Sequence, residues 1–138
     1  MTELAVVKIL SEDTAIADVV SDRVSLSYIP QNADAPLILC TIDSNDKSLT
    51  KDSYTMEDLS INVQSIAADL AAALSLDRKV FRALHNYDDK TAIVLSTGES
   101  ITVNHSYQVA TRSEWNDEIN FHVIISTYRF LANVEDPQ

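Results

Sequence analysis

The sequence predicts an α+β domain built on a mostly antiparallel sheet of about four to six strands, with two helices packed on one face. Three observations carry that reading. Leu59, Ile61 and Val63 alternate with Ser60, Asn62 and Gln64, the period of a strand with one apolar face. Residues 70–86 hold no Gly or Pro and carry an apolar stripe at spacings of three and four. Strand-like stretches then recur through the last third, separated by turn formers.

Taken in chain order, Leu4, Val7, Ile9 or Leu10, Ile16 and Val19 or Val20 fall near helical spacing. A short amphipathic helix opens the chain, with Ser11-Glu12-Asp13 as the place where it would break in two. Pro30 and Pro36 bracket a loop, and Leu37-Ile38-Leu39-Cys40-Thr41-Ile42 reads as a strand buried on both faces or crossing the middle of a sheet. Residues 43–58 offer only Leu49, Tyr54 and Met56 as large apolar groups, the composition of a long exposed loop. After the alternating strand at 59–64, Asp69 is the N-cap of the strongest helix, because its carboxylate can accept from free amides of the first turn. Ala73, Leu76, Val80 and Leu84, joined by Ala72 and Ala83, form its buried stripe, while Arg78 and Arg82 project elsewhere.

Asn86-Tyr87-Asp88-Asp89 ends that helix with turn residues. Ile93-Val94-Leu95 and Ile101-Thr102-Val103 about the Thr97-Gly98 turn read as a hairpin. Tyr107 and Val109 lead through Trp115 to a turn at Asn116-Asp117. Beyond it, Ile119, Phe121, Val123 and Ile125 share one strand face, and Asn120, His122, Ile124, Ser126, Tyr128 and Phe130 the other. A strand apolar on both sides belongs inside a sheet or under a subunit contact. The tail from Asn133 to Gln138 is polar and reads as loose. No repeat and no linker divides residues 1–138, so a single domain is expected.

Composition removes whole classes of activity. With 21 acidic against 10 basic residues the formal charge is -11, which opposes sequence-general binding of nucleic acid. Gly98 is the only glycine, so phosphate-binding loops, dinucleotide fingerprints and the Gly-x-Ser-x-Gly elbow are all absent. Cys40 alone allows neither an internal disulfide nor a cysteine-rich zinc site, which suggests folding in a reduced, intracellular compartment. The first residues lack the pattern of a signal peptide and no stretch approaches the length of an apolar membrane span, so no membrane partner is expected.

No constellation of side chains points to catalysis, a cofactor or a metal. His85, His105 and His122 are 20 and 17 residues apart, without the short-range pairing of a metal site. His85, at a helix end, is suited simply to the helix dipole, and Cys40 inside an apolar strand to inert packing. The acidic pairs Glu12-Asp13, Glu57-Asp58, Asp88-Asp89 and Asp117-Glu118 are adjacent in sequence, where carboxylates usually face water. Asp43-Ser44-Asn45-Asp46 opens like a calcium loop but lacks the central glycine and closing Glu. Arg78, Lys79, Arg82 and Lys90 lie in the only charge-balanced segment, either as a solvated helix face or as a patch for an acidic neighbouring copy.

Several stretches together resemble the phage tail-completion family: Ile29-Pro30 to Pro36-Leu37-Ile38-Leu39 after an N-terminal helix, a polar loop, Leu59 to Gln64, Ala73-Leu74-Ser75-Leu76 and Val80 to His85. Trp115-Asn116-Asp117-Glu118 and Phe121 to Phe130 complete a likeness running from about Leu4 to Ala132. Relatives often place Gly at the end of the long helix, where this chain has His85-Asn86; Asn tolerates the left-handed conformation that such a cap requires.

The resemblance implies a non-enzymatic virion protein that caps the head-proximal end of a phage tail tube as a ring, commonly a hexamer. Its partners would be further copies, the tail-tube protein and the head-tail connector, with DNA passing through the lumen unbound. It implies a place in the tail of the virion after assembly in the host cytoplasm, and it transfers no catalytic, cofactor or metal residue. An α+β ligand- or protein-binding module of the cytosol, unrelated to phage, is the alternative. An enzyme using dispersed carboxylates with His105 or His122 is a more distant one, recognisable by groups converging in a cleft.

Overall fold

The computed structural model describes residues 1–29, 34–49, 54–118 and 120–137. Helices α1 (Thr2–Glu12), α2 (Thr14–Val20) and α3 (Leu70–Leu84) accompany strands β1 (Val24–Leu26), β2 (Leu37–Leu49), β3 (Tyr54–Ala67), β4 (Ile93–Val94), β5 (Ser100–Asn116) and β6 (Phe121–Glu135). The strands form one sheet in the order β1-β2-β3-β6-β5-β4, antiparallel except where β1 runs parallel to β2. The α+β class and the mainly antiparallel sheet agree with the sequence; the helices among the described residues number three because the N-terminal stretch breaks at Asp13. That residue faces both ways. Its backbone N–H caps α1 by donating to the Ile9 carbonyl, and its carboxylate caps α2 by accepting from the Ile16 N–H at 3.1 Å.

Asp69 caps α3 as expected, its carboxylate accepting from the Ala72 N–H at 2.8 Å. Ala73, Leu76, Val80 and Leu84 are the buried stripe. Leu76, Val80 and Leu84 pack with Val6, Leu10, Ile16 and Val20 on the sheet residues Ile38, Leu59, Ile61, Tyr128 and Phe130, and Ala73 packs with Ala67 and Ile124. Each large side chain removed from water there contributes roughly 1.5–3 kcal/mol. The helix ends where Asn86 turns left-handed at φ 52, taking the role a glycine would otherwise fill. In the turn before β5, Gly98 has φ 100 and donates to the Leu95 carbonyl, while a Cβ at that point would stand 2.9 Å from Pro137.

Residues 43–58 correct the sequence reading. The described part is no loop: β2 continues to Leu49 and β3 begins at Tyr54, paired from Ser44↔Ser60 to Leu49↔Thr55. The reason lies where an apolar side chain would normally be. On the helix-covered face the ladder here carries Asn45 and Glu57, whose polar groups hold the start of α1, so the strand lacks an apolar alternation. The tail is a second correction, since β6 runs on to Glu135 and Val134 is buried. Ile119, Pro30 and Gln138 lie outside the described residues.

Both sides of β6 are apolar, as expected, but the second side already has partners within the chain. Leu37, Leu39, Ile66, Val123 and Ile125 form a buried cluster with Phe121 on the sheet face opposite the helices. The strand lies inside the sheet, between β3 and β5, which is one of the two places expected for it.

Candidate functional site

The sheet defines the site because it is finished on one side only. All three helices cover one face. The opposite face bears the small apolar cluster at the end nearest the β5–β6 turn and polar residues over the remainder. There Arg129 on β6 donates from Nε to Asp58 Oδ1 on β3 at 2.7 Å, with a second hydrogen bond from Nη2 to Oδ2, and reaches the Tyr107 hydroxyl on β5 at 3.2 Å. The guanidinium holds the Asp58 carboxyl below its ordinary range. Ser60 donates to Asp43 at 3.3 Å and Thr127 to Asn62 at 2.6 Å, so cross-strand polar pairs pave this face. Register places Asp46, Asp58, Glu114 and Glu135 on it against Arg112 and Arg129, leaving it acidic.

The covered face contains polar groups too, each positioned by an element that needs it. Glu57 Oε1 accepts from the Thr2 N–H at 3.0 Å, from Asn45 Nδ2 at 3.0 Å and from the amino group of Met1 at 3.3 Å. Burial pushes its carboxyl up, but those hydrogen bonds and the positive amino terminus outweigh burial and hold it at about 2. Beneath α3, the Ser126 hydroxyl donates to Asp77 at 2.6 Å and accepts from Gln108 Nε2 at 3.1 Å, with the Thr111 hydroxyl 3.0 Å away. Burial raises the Asp77 carboxyl against the lowering effect of Ser126.

The histidines do not converge. His85 caps α3, stacks on Phe81 at 4.6 Å and accepts the Gln108 N–H on Nδ1 at 3.0 Å, tying the helix end to β5. His105 lies on the open face beside Tyr107, with ring centroids 5.2 Å apart. His122 meets Trp115 edge-on at 4.8 Å near the far end of the β5–β6 hairpin. Cys40 is buried in the sheet, where desolvation pushes its thiol up to about 12, far from a reactive thiolate. Among the described residues no group of three or more His, Cys, Asp or Glu side chains could hold a metal ion, and no helix is long and apolar enough to cross a membrane.

The basic segment divides in two. Lys90 belongs to the fold, because its ammonium donates to the Val103 and Asn104 carbonyls at 3.1 and 2.9 Å along the outer edge of β5. Arg78 and Arg82 are exposed on α3. The depressions are open rather than enclosed; one of about 420 Å³ lies between α3 and β5, lined by Leu74, Asp77, Arg78, Phe81, Gln108 and Thr111.

The sheet edges escaped the sequence reading. β1 covers β2 only at Ile38, Leu39 and Cys40, and β4 covers β5 only at Ser100 and Ile101. Two long strand segments, one at each edge, therefore have no neighbouring strand among the described residues. The signal was available in part: Trp115, Val109 and Ile42 are large apolar groups that turn out to be exposed there.

These features define a class of protein, a one-sided α+β sheet with helices behind it and an open polar face. No family model matches the chain and no curated protein matches it in sequence. In structure it is similar to a chain of the solved virion of a native gene transfer agent particle, with a TM-score of 0.63 at 20% sequence identity, over 93% of this chain and 91% of that one. The likeness is one of fold.

Proposed function

We propose that the chain is a structural, non-enzymatic component of a phage-like virion. It caps the head-proximal end of the tail tube as a ring, commonly of six copies, ends tube growth and offers the surface on which the head docks. The observation that carries this reading is the fold shared over nearly the full length of both chains with a protein of a gene transfer agent virion. The resemblance to the tail-completion family supports the finer assignment. A helix layer behind a sheet demands the longer, outer circumference of a ring, so the open face would line the lumen. Its acidic balance suits a channel for DNA, since like charge denies the duplex its gain from counterion release.

Ring formation and head joining are interfacial work, which needs matched surfaces rather than a cleft. Particles assembled without the protein are the test. Negative-stain images are expected to show overlong or headless tail tubes; tails of normal length joined to heads would overturn the proposal.

A further inference from the structure

We infer that copies of this chain join through their sheet edges, residues 110–115 of β5 in one copy pairing antiparallel with residues 42–48 of β2 in the next. The inference rests on the ring reading above and names its interface. Unpaired edges are normally blunted by proline, inward charges or covering segments, because they template pairing with another chain. Here the cover is partial. Beyond β4, the outer side of β5 is closed as far as Gln108: Lys90 occupies the Val103 and Asn104 carbonyls, Asn86 donates to the Ser106 carbonyl, and His85 accepts from Gln108. From Val109 to Trp115 that cover stops.

Direction and face both match. β2 and β5 run antiparallel within the sheet, so successive copies in a ring bring them together as an antiparallel pair. On both strands the residues facing the helices turn their main-chain groups outward. Ile38 and Cys40 bond Arg23 and Ser27 in this way, and Ser106 and Gln108 bond Asn86 and His85. Register carries the same face to Ile42, Asn45 and Lys47 on one edge and to Thr111, Ser113 and Trp115 on the other.

The covered parts of each edge act as stops that select the stagger. Level pairing is blocked, because β1 lies beside β2 at the height of residues 109–115. Through β3, Asp46 stands level with Leu131 on β6, while Arg112 stands level with Ile125, six residues away. Sliding the next copy by that distance, about 20 Å of extended chain, lets the free segments meet and carries β1 and β4 past the strand ends. In this register Arg112 faces Asp46 and Glu114 faces Ser44 on the open side. Trp115, 50% exposed, faces Ile42, 43% exposed, on the helix side. Arg112 now bonds Glu114 of its own chain at 3.1 Å in a solvent-exposed pair, which is weak and free to exchange. A stagger of about 20 Å across four strands, about 19 Å wide, tilts the strands by roughly 45°, at the upper end of the range in which sheets close on themselves.

A cysteine pair tests the register. Ser44→Cys with Glu114→Cys in one chain places two thiols at opposite edges, too far apart to bridge internally, but within disulfide reach across the proposed contact. Non-reducing gels of the oxidised variant are expected to show a ladder of covalent oligomers. Lys47→Cys with Glu114→Cys, which sets the thiols on opposite faces, is expected to show none. Light scattering is run alongside on the unaltered protein at the highest concentration it tolerates, with Arg112→Asp expected to abolish its oligomers and Arg112→Asp with Asp46→Arg to restore them. Oligomers without a ladder, or a ladder equally strong in both cysteine pairs, overturn the edge contact and leave the ring. Absence of both oligomers and ladder overturns the edge contact and counts against the ring as well.

Discussion

Phe130 and Arg129 are neighbours on β6, yet one faces three helices and the other faces none. Phe130 is fully buried in the main core, whereas Arg129 crosses the open face to Asp58 and Tyr107. The difference teaches that a single strand divides its work by parity: one set of side chains holds the fold, the other is available for surfaces. Glu57 complicates the division, being a charged group on the covered face that is tolerated because donors surround its carboxylate.

Substitutions can sharpen that contrast. The largest effect is expected for Phe130→Ala, which leaves a cavity beneath the helices and lowers the unfolding free energy by about 4 kcal/mol in a urea titration. Glu57→Gln is expected to cost roughly 2 kcal/mol at pH 7, by weakening charge-assisted bonds to Thr2 and Asn45. The same group gives the unaltered protein an acid limb. Its carboxyl is depressed from 4.5 to about 2, so its stabilisation is complete above pH 4.5 and is lost as the pH falls toward 2. Urea titrations of the two proteins are expected to differ at pH 7 and to draw together at pH 2.5; equal differences at both values would remove the assignment. The smallest effect is expected for Arg129→Gln on the open face. Its unfolding midpoint should match that of the unaltered protein within error, while the Asp58 carboxyl, followed by NMR titration, moves back up toward its ordinary range. A large loss of stability there would mean that the open face is part of the folding core.

Local pattern was legible where a segment carries its own signature. The α3 helix shows it in the Asp69 cap and the stripe from Ala73 to Leu84, the β4–β5 hairpin in Thr97-Gly98, and β3 in the alternation of Leu59, Ile61 and Val63. The outer half of the β2–β3 hairpin carried no such mark, since Asn45 and Glu57 occupy positions where a strand in the core would show Val or Ile. Val134 and Ala132 at the end of β6 were masked by the polar residues between and beyond them. On the functional side, the sequence carries no readable catalytic or metal-binding motif, and its surfaces are set by the fold. Which surfaces those were could not be read from residue types.

By itself, then, the sequence determined the class of fold, the caps and periods of its elements and the acidic balance, because each is written in the spacing of side chains along a few consecutive residues. Tertiary structure alone decided the strand order, the polar pairing that holds the start of α1, and the two segments of strand left without neighbours. Those depend on main-chain hydrogen bonds between residues far apart in the chain, and a peptide N–H or carbonyl is the same whatever side chain it carries.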